Sequence, residues 1–281
     1  MDRAFALLVA LAVATALACG RGERAAGDKP VTIIATDSGY VAPDTLYEGL
    51  NHIAFENHGS SIHECMFIRL PDDMSAAQYI AAVDSGYDFP VGAIDCSGAG
   101  LTSPLERVEL WLPLDAGRYL LACWFRGHLT HIPPTTIVVH GQPRVPVIPP
   151  YEDATLKEID FRYELSGQIH AGAQTIRVET VGPSMHEVDC FRLEGGRAVK
   201  DLNAWYANDK KGSPFATAMG GALDHHDLSR VVWFRRNFTM GHYVFWCDMP
   251  MIQSGTEAAA GAAAHVTHAQ AGMVLEFEVS M

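Results

Sequence analysis

Asn51-His-Ile-Ala-Phe-Glu-Asn-His-Gly-Ser-Ser-Ile-His63 lies without a gap on Gln174-Thr-Ile-Arg-Val-Glu-Thr-Val-Gly-Pro-Ser-Met-His186. In this register Ile53 meets Ile176, Gly59 meets Gly182, and His63-Glu64 meets His186-Glu187. The match extends from Tyr40 on Tyr163 to Arg69-Leu70 on Arg192-Leu193. Further on, Gly117-Arg-Tyr119 and Cys123 fall on Gly241-His-Tyr243 and Cys247, and His128-Leu-Thr-His131 on His265-Val-Thr-His268. A repeated unit of about 120 residues is a domain and not a solenoid repeat, whose period runs roughly 20 to 50 residues. What the two copies share is His, Cys and His in fixed order, with the scaffold that presents them.

The 281 residues suit two domains. A composition of 48% hydrophobic and 19% charged residues supports real cores and excludes extensive disorder. With a net charge of −13 the chain lacks the basic face that nucleic acid requires, so no nucleic-acid partner is expected. Ala4 to Ala18 is an uncharged apolar run of signal-peptide length, which makes residues 1–18 a signal peptide and the chain an exported, periplasmic or envelope protein. Ala16-Leu17-Ala18 reads either as an ordinary signal-peptidase site, giving a soluble exported protein, or, with Cys19 after it, as a sequence that resembles a bacterial lipobox, which makes Cys19 the expected lipidation site and its anchor the only expected link to a membrane. Residues 19–30 then form a flexible tether.

Within each repeat the pattern is that of strands. Val31 to Ala35 alternates, Asn51 to Phe55 and Glu64 to Leu70 follow, and Arg107 to Leu112 with Arg118 to Cys123 forms a hairpin around Pro113 to Gly117. Thr135 to Val139 closes the unit. Ser75 to Val83 is the one clear helix, capped by Asp73 or Ser75, with its counterpart at Lys200 to Tyr206. The expected fold is all-β: two tandem Greek-key β-sandwiches, each with a short helix inserted and each with its own core. Their expected bounds are 31–141 and 153–281, joined by a proline-rich linker over 142–152.

A His at the start of one strand, a Cys at the end of a later one, and a His-bearing loop before the last strand resemble the cupredoxins, the blue-copper family. The resemblance covers both copies and includes Gly-x-Tyr-x-x-x-Cys and, in the second copy, His268-Ala-Gln-Ala-Gly-Met273 leading into an apolar strand. It implies His186, Cys247, His268 and Met273 as copper ligands, since two imidazoles, a thiolate and a weak axial thioether make a blue-copper site. His265 is the alternative to His268. The first copy offers an incomplete set, His63, Cys123 and His128 or His131, because Pro133 or Thr136 stands where the Met would fall.

The function this implies is copper binding and one-electron transfer, mainly in the second copy, with one copper there, a second in the first copy, and a redox protein as partner. The alternatives are a copper-free pair serving as a binding or scaffold module, and copper storage or delivery that also uses Met249 and Met251. Enzyme activity is not expected. Cys123 lies between Ala122 and Trp124 and Cys247 between Trp246 and Asp248, so neither Cys has the neighbouring His that couples a blue copper to a second centre. The long segment between Cys247 and His265 predicts a less organised ligand loop than the short Cys123-to-His128 span. Trp124, Trp233 and Trp246 are expected as core aromatics, and Asp224-His225-His226 as a polar loop.

Overall fold

A computed structural model describes residues 29–85, 90–141, 147–208, 210–211, 215–223, 225, 231–251 and 266–280. The first repeat contributes β1 (Val31–Thr36), β2 (Gly39–Val41), β3 (Thr45–Tyr47), β4 (Gly49–Asn57), β5 (His63–Leu70), β6 (Ile94–Thr102), β7 (Arg107–Leu114), β8 (Gly117–Ala122) and β9 (Thr135–His140). The second contributes β10 (Ala154–Ile159), β11 (Arg162–Ser166), β12 (Gly172–Thr180), β13 (Val188–Leu193), β14 (Ala216–Ala222), β15 (Val231–Phe238), β16 (Gly241–Trp246) and β17 (Val274–Val279). One helix follows the third-numbered predicted strand of each copy: α1 (Ala76–Asp84) after β5, and α3 (Val199–Ala207) after β13, while a short α2 (His128–His131) lies between β8 and β9. Ser75 caps α1, its hydroxyl accepting from the Gln78 N–H while the Gln78 side chain accepts from the Ser75 N–H.

The all-β sandwich with a helix in each copy is as the sequence predicts. The separate cores are not. One sheet runs β2-β1-β4-β7 and continues into β15-β12-β10-β11; the other runs β3-β9-β8-β5-β6 and continues into β14-β13-β16-β17. Both sheets therefore cross from one repeat to the other, and one hydrophobic core draws Ile33, Ile53 and Leu110 together with Leu156, Ile176 and Phe234. Burying such side chains stabilises by about 1.5–3 kcal/mol each, so each repeat depends on the other for part of its core. The linker expected over 142–152 lies partly outside the described residues.

The junction obeys a pseudo-twofold. Trp111 pairs with Trp233 and Glu109 with Arg235, and between them Leu110 pairs with Phe234, the fourth residue of one eight-residue strand with the fourth of its equivalent. In the other sheet Thr102 pairs with Met219, and a bridge joins Cys96 to His225. His225, expected in a polar loop, is buried at that bridge, while residues 224 and 226 lie outside the described residues.

β6 and β14 were not legible as strands. Ile94-Asp-Cys-Ser-Gly-Ala-Gly-Leu-Thr102 is nearly all buried and has no alternation to read, because both its faces are covered. Its glycines have a steric reason. A Cβ on Gly98 would sit 1.9 Å from the Cys65 carbonyl oxygen, and one on Gly221 1.9 Å from that of Val188. The same close approach recurs at equivalent places in both copies. Hydrogen bonds then tie the strands across the junction: Leu101 N–H to Asp189 Oδ1 (2.7 Å), Ser97 Oγ to the Leu223 carbonyl (2.7 Å), and Ala218 N–H to Ser103 Oγ (2.9 Å).

Candidate metal centres

In the second repeat β16 ends at Trp246 and delivers Cys247, while His186 sits just before β13. His186 Nδ1 lies 2.9 Å from His268 Nδ1, and Cys247 Sγ lies 3.5 Å from the same His268 nitrogen. All three residues are buried, and their donor atoms fall within 4.8 Å of one another. Met273 is fully buried in the core that also holds Cys247. Its N–H donates to the His268 carbonyl (2.9 Å), closing the turn that aims the imidazole.

The long segment after Cys247 does not leave His268 loosely held. Its base is zipped: Ala269 N–H donates to the Cys247 carbonyl (3.0 Å), His268 N–H to Met249 (2.8 Å), and Met251 N–H to Val266 (2.8 Å). Whatever residues 252–265 do, His268 is fixed by pairing next to Cys247. His265 and the Ala/Gly run lie outside the described residues, as do Cys19 and the signal segment.

The first repeat assembles the same trio. Cys123 Sγ is 3.4 Å from His128 Nδ1, the His63 and His128 rings are 4.7 Å apart, and the donors of His63, Cys123 and His128 lie within 4.8 Å of one another. His131 does not join them. Its Nδ1 is 2.7 Å from the Gly127 carbonyl and the side chain is exposed. Pro133, standing in the predicted Met position, lines a small cavity with Tyr40, Cys123 and His128.

Sequence reading missed the residues that orient these ligands. Asp37 Oδ1 is 3.2 Å from His63 Nε2, and Asp160 Oδ1 is 3.0 Å from His186 Nε2. A carboxylate there accepts a hydrogen bond from Nε2–H and leaves the Nδ1 lone pair as the donor to a metal. Glu64 accepts from the N–H of Trp124 (2.5 Å) and Glu187 from that of Asp248 (3.0 Å), so each carboxylate after the first His pins the residue after the Cys. Tyr40 and Tyr163 donate their hydroxyls to the carbonyls of Glu64 and Glu187. The signal was present as a duplicated Asp-x-x-Tyr, at Asp37-Ser-Gly-Tyr40 and Asp160-Phe-Arg-Tyr163.

Electrostatics favour neutral ligands in the metal-free protein. Burial lowers His128 and His268 to about 4, aided by the neighbouring His63 and His186. Burial also lowers His63 and His186, opposed by their aspartates. Burial pushes both thiols up; the Glu64 N–H, 3.5 Å from Cys123 Sγ, works against that rise. Hydrogen bonds from Ser60 hold Asp37 far below the usual carboxylate range. Burial alone would raise Asp160, but its bonds to His186 and Ser184 more than offset that. All five described cysteines are free and buried.

The two sites differ in cover. Phe161, at a φ of 61°, lays its ring edge-on to His268 at 5.1 Å. The equivalent position in the first copy is Ser38, and His128 is only partly buried. Between the sites Lys210 donates to Asp248 (2.6 Å), the residue after Cys247. Burial alone would lower Lys210, but Asp248, with Glu64 and Asp189 nearby, holds it above its ordinary value.

No family model matches this chain, and no curated protein matches it. Solved structures are similar to it. Auracyanin A, a blue copper protein of Chloroflexus aurantiacus, is 23% identical, covering 40% of this chain and 99% of its own, with a TM-score of 0.29. A multicopper oxidase is 15% identical over 89% of this chain and 88% of its own, with a TM-score of 0.25. The Cu-containing nitrite reductase of Thermus scotoductus is 13% identical over 89% of this chain and 61% of its own, with a TM-score of 0.24. The fold is cupredoxin-like: two sandwich repeats, each ending the strand before its last at a buried Cys that meets two His. The expectation that the chain is not an enzyme is withdrawn, because an oxidase and a nitrite reductase stand among the similar structures. Among the described residues no helix is long and apolar enough to cross a membrane.

Proposed function

We infer that this protein binds copper at both His–Cys–His sites and passes single electrons through them. The observation that carries this reading is the duplication of the whole constellation, with Asp, His, Glu, Cys and His of each copy in the same relation. The donors fit the metal. Two imidazole nitrogens and one thiol sulfur are soft to borderline ligands, unsuited to calcium or magnesium, and a structural zinc would ask for a fourth strong N or S donor. His186, Cys247, His268 and, as the axial group, Met273 would hold one copper; His63, Cys123 and His128 would hold the other. Copper so held supplies a one-electron couple between its two common oxidation states.

The protein's part is rigidity. Asp37 and Asp160 fix the ring orientation of the first His, Glu64 and Glu187 fix the backbone after the Cys, and close packing around both thiols keeps water out. The complete ligand set favours the second repeat as the tighter site. A redox protein is the partner this function needs, and the apolar segment Ala4 to Ala18 supports export, with Cys19 as the proposed anchor. Storage or delivery is less well supported, since Met249 is buried in the core instead of offered as an extra sulfur. The test is metal analysis and visible absorption of the protein purified from a copper-supplemented periplasm. Bound copper with an intense thiolate band supports electron transfer; copper without the band supports storage; no copper supports a scaffold.

A further inference from the structure

A chain of aromatic rings crosses from one site to the other. It starts at His128, whose ring meets Phe125 edge-on at 5.5 Å. Phe125 meets Trp205 at 6.3 Å, Trp205 meets Tyr206 at 5.4 Å, and Tyr206 stacks on Trp246 at 4.8 Å. Trp246 is bonded directly to Cys247. Each spacing lies within the range of aromatic contact. All four rings between the sites are buried, and they belong to one core cluster that also contains Cys123.

Packing alone does not account for the choice of rings. Trp205 Nε1, Tyr206 Oη and Trp246 Nε1 are each buried with no hydrogen-bond partner among the described residues. A core selected only for stability would place Phe or Leu at such positions, because a buried polar atom left unpaired costs free energy that an apolar side chain of similar shape avoids. Three such atoms on three consecutive links, in a cluster bounded by a ligand of one site and the neighbour of a ligand of the other, mark the rings as kept for something besides volume. Lys210 lies over the same rings, 4.8 Å from the Tyr206 centroid and 5.9 Å from that of Phe125.

The geometry points to an internal electron relay, in which Phe125, Trp205, Tyr206 and Trp246 couple the two metal centres so that an electron entering at one is shared with the other. This rests on the reading of both sites as copper sites. The exchange is balanced within the chain: copper(I) at one site becomes copper(II), copper(II) at the other becomes copper(I), one electron moves and no proton is needed. The rings remain in their ground state and act as the packed medium through which the electron tunnels. His128, less buried than His268, is the natural point of entry from outside.

Flash reduction of the doubly copper-loaded full chain tests the relay. The expected result is a first-order phase, independent of protein concentration, followed at the wavelength where the Cys123→Ser and Cys247→Ser variants differ most. It is absent from both of those variants, slowed by an order of magnitude or more in Trp205→Leu, and slowed less in Trp205→Phe, whose smaller ring fills only part of the indole's span. Near-UV circular dichroism of the metal-free proteins reports separately whether the rings keep their stacking. If Trp205→Leu fails to fold, Phe125→Leu interrupts the chain at its other end with the same expectation. Fewer than two coppers per chain overturns the two-site reading on which the relay depends. Two coppers with no such phase, or with a phase that these substitutions leave unchanged, overturns the relay alone.

Discussion

Leu110 lies opposite Phe234, its own equivalent in the second repeat, at the centre of the strand pair that joins the two halves of one sheet. Such a contact is self-complementary: the same strand surface meets itself across a twofold. The junction thus has the form of a dimer interface fused into one chain. A first repeat excised as residues 29–141 would expose the β7 and β6 edges, which are templates for pairing. It is expected to dimerise through that register or to aggregate, as read by light scattering. A stable monomer with native ellipticity would show that the shared core is dispensable.

Asp160→Asn keeps the shape beside His186 but removes the charge that holds its Nε2 proton. Copper affinity at the second site is expected to fall about 10- to 100-fold, the usual cost of losing such a partner. Asp37→Asn should do the same at the first site and leave the second unchanged. Competition titration against a chelator measures both. Equal loss at both sites from either change would mean that the aspartates act on folding and not on ligand orientation.

Glu158 is buried, with one oxygen accepting from the Thr180 hydroxyl (2.8 Å) and the other without a partner among the described residues. Burial raises its carboxyl from 4.5 to about 7. The folded state therefore holds a proton that the unfolded chain has released, and stability is lost as pH rises from about 4.5 through 7. The loss is on the order of 3 kcal/mol by pH 8. Glu158→Gln removes this dependence. Urea unfolding should find the variant more stable than the parent at pH 8 and nearly equal to it at pH 4.5; the same gap at both values would refute the assignment.

Lys210 and Asp248 form a partly buried charge pair. Lys210→Met leaves Asp248 without its cation and is expected to cost about 1–3 kcal/mol in unfolding experiments. Adding Asp248→Asn should return most of that loss, because no unpaired charge remains. A double variant as unstable as the single one would show that the lysine acts through packing.

What was legible followed from what evolution kept twice. The strands carrying Ile53, Tyr119 and Tyr243 alternate or run apolar, and His63, Cys123, His186 and Cys247 stand at equivalent places in the two copies, so the sandwich and most of the ligand positions could be read directly. Strands β6 and β14 could not. Gly98 and Gly221 are there to let backbones approach, and glycine-rich segments buried on both faces carry no period. Because those strands make half of the junction, the shared core was missed with them. Asp37 and Asp160 were missed for a different reason: they lie far back in the chain from the His they orient, and only the folded β1–β2 and β10–β11 turns bring them together. The choice between His128 and His131 also needed the fold, since both fall in one short helix and only His128 points at the thiol.

The central claim is that two copper sites exist, each built on its own cysteine. Titration of Cu(II) into the full chain and into Cys123→Ser and Cys247→Ser, following the visible thiolate band, tests it most directly. The account predicts two equivalents and two band contributions in the parent, one in each variant, with the Met273-bearing site filling first. A parent protein with no band, or a single substitution that abolishes the whole band while the other leaves it untouched, would contradict it.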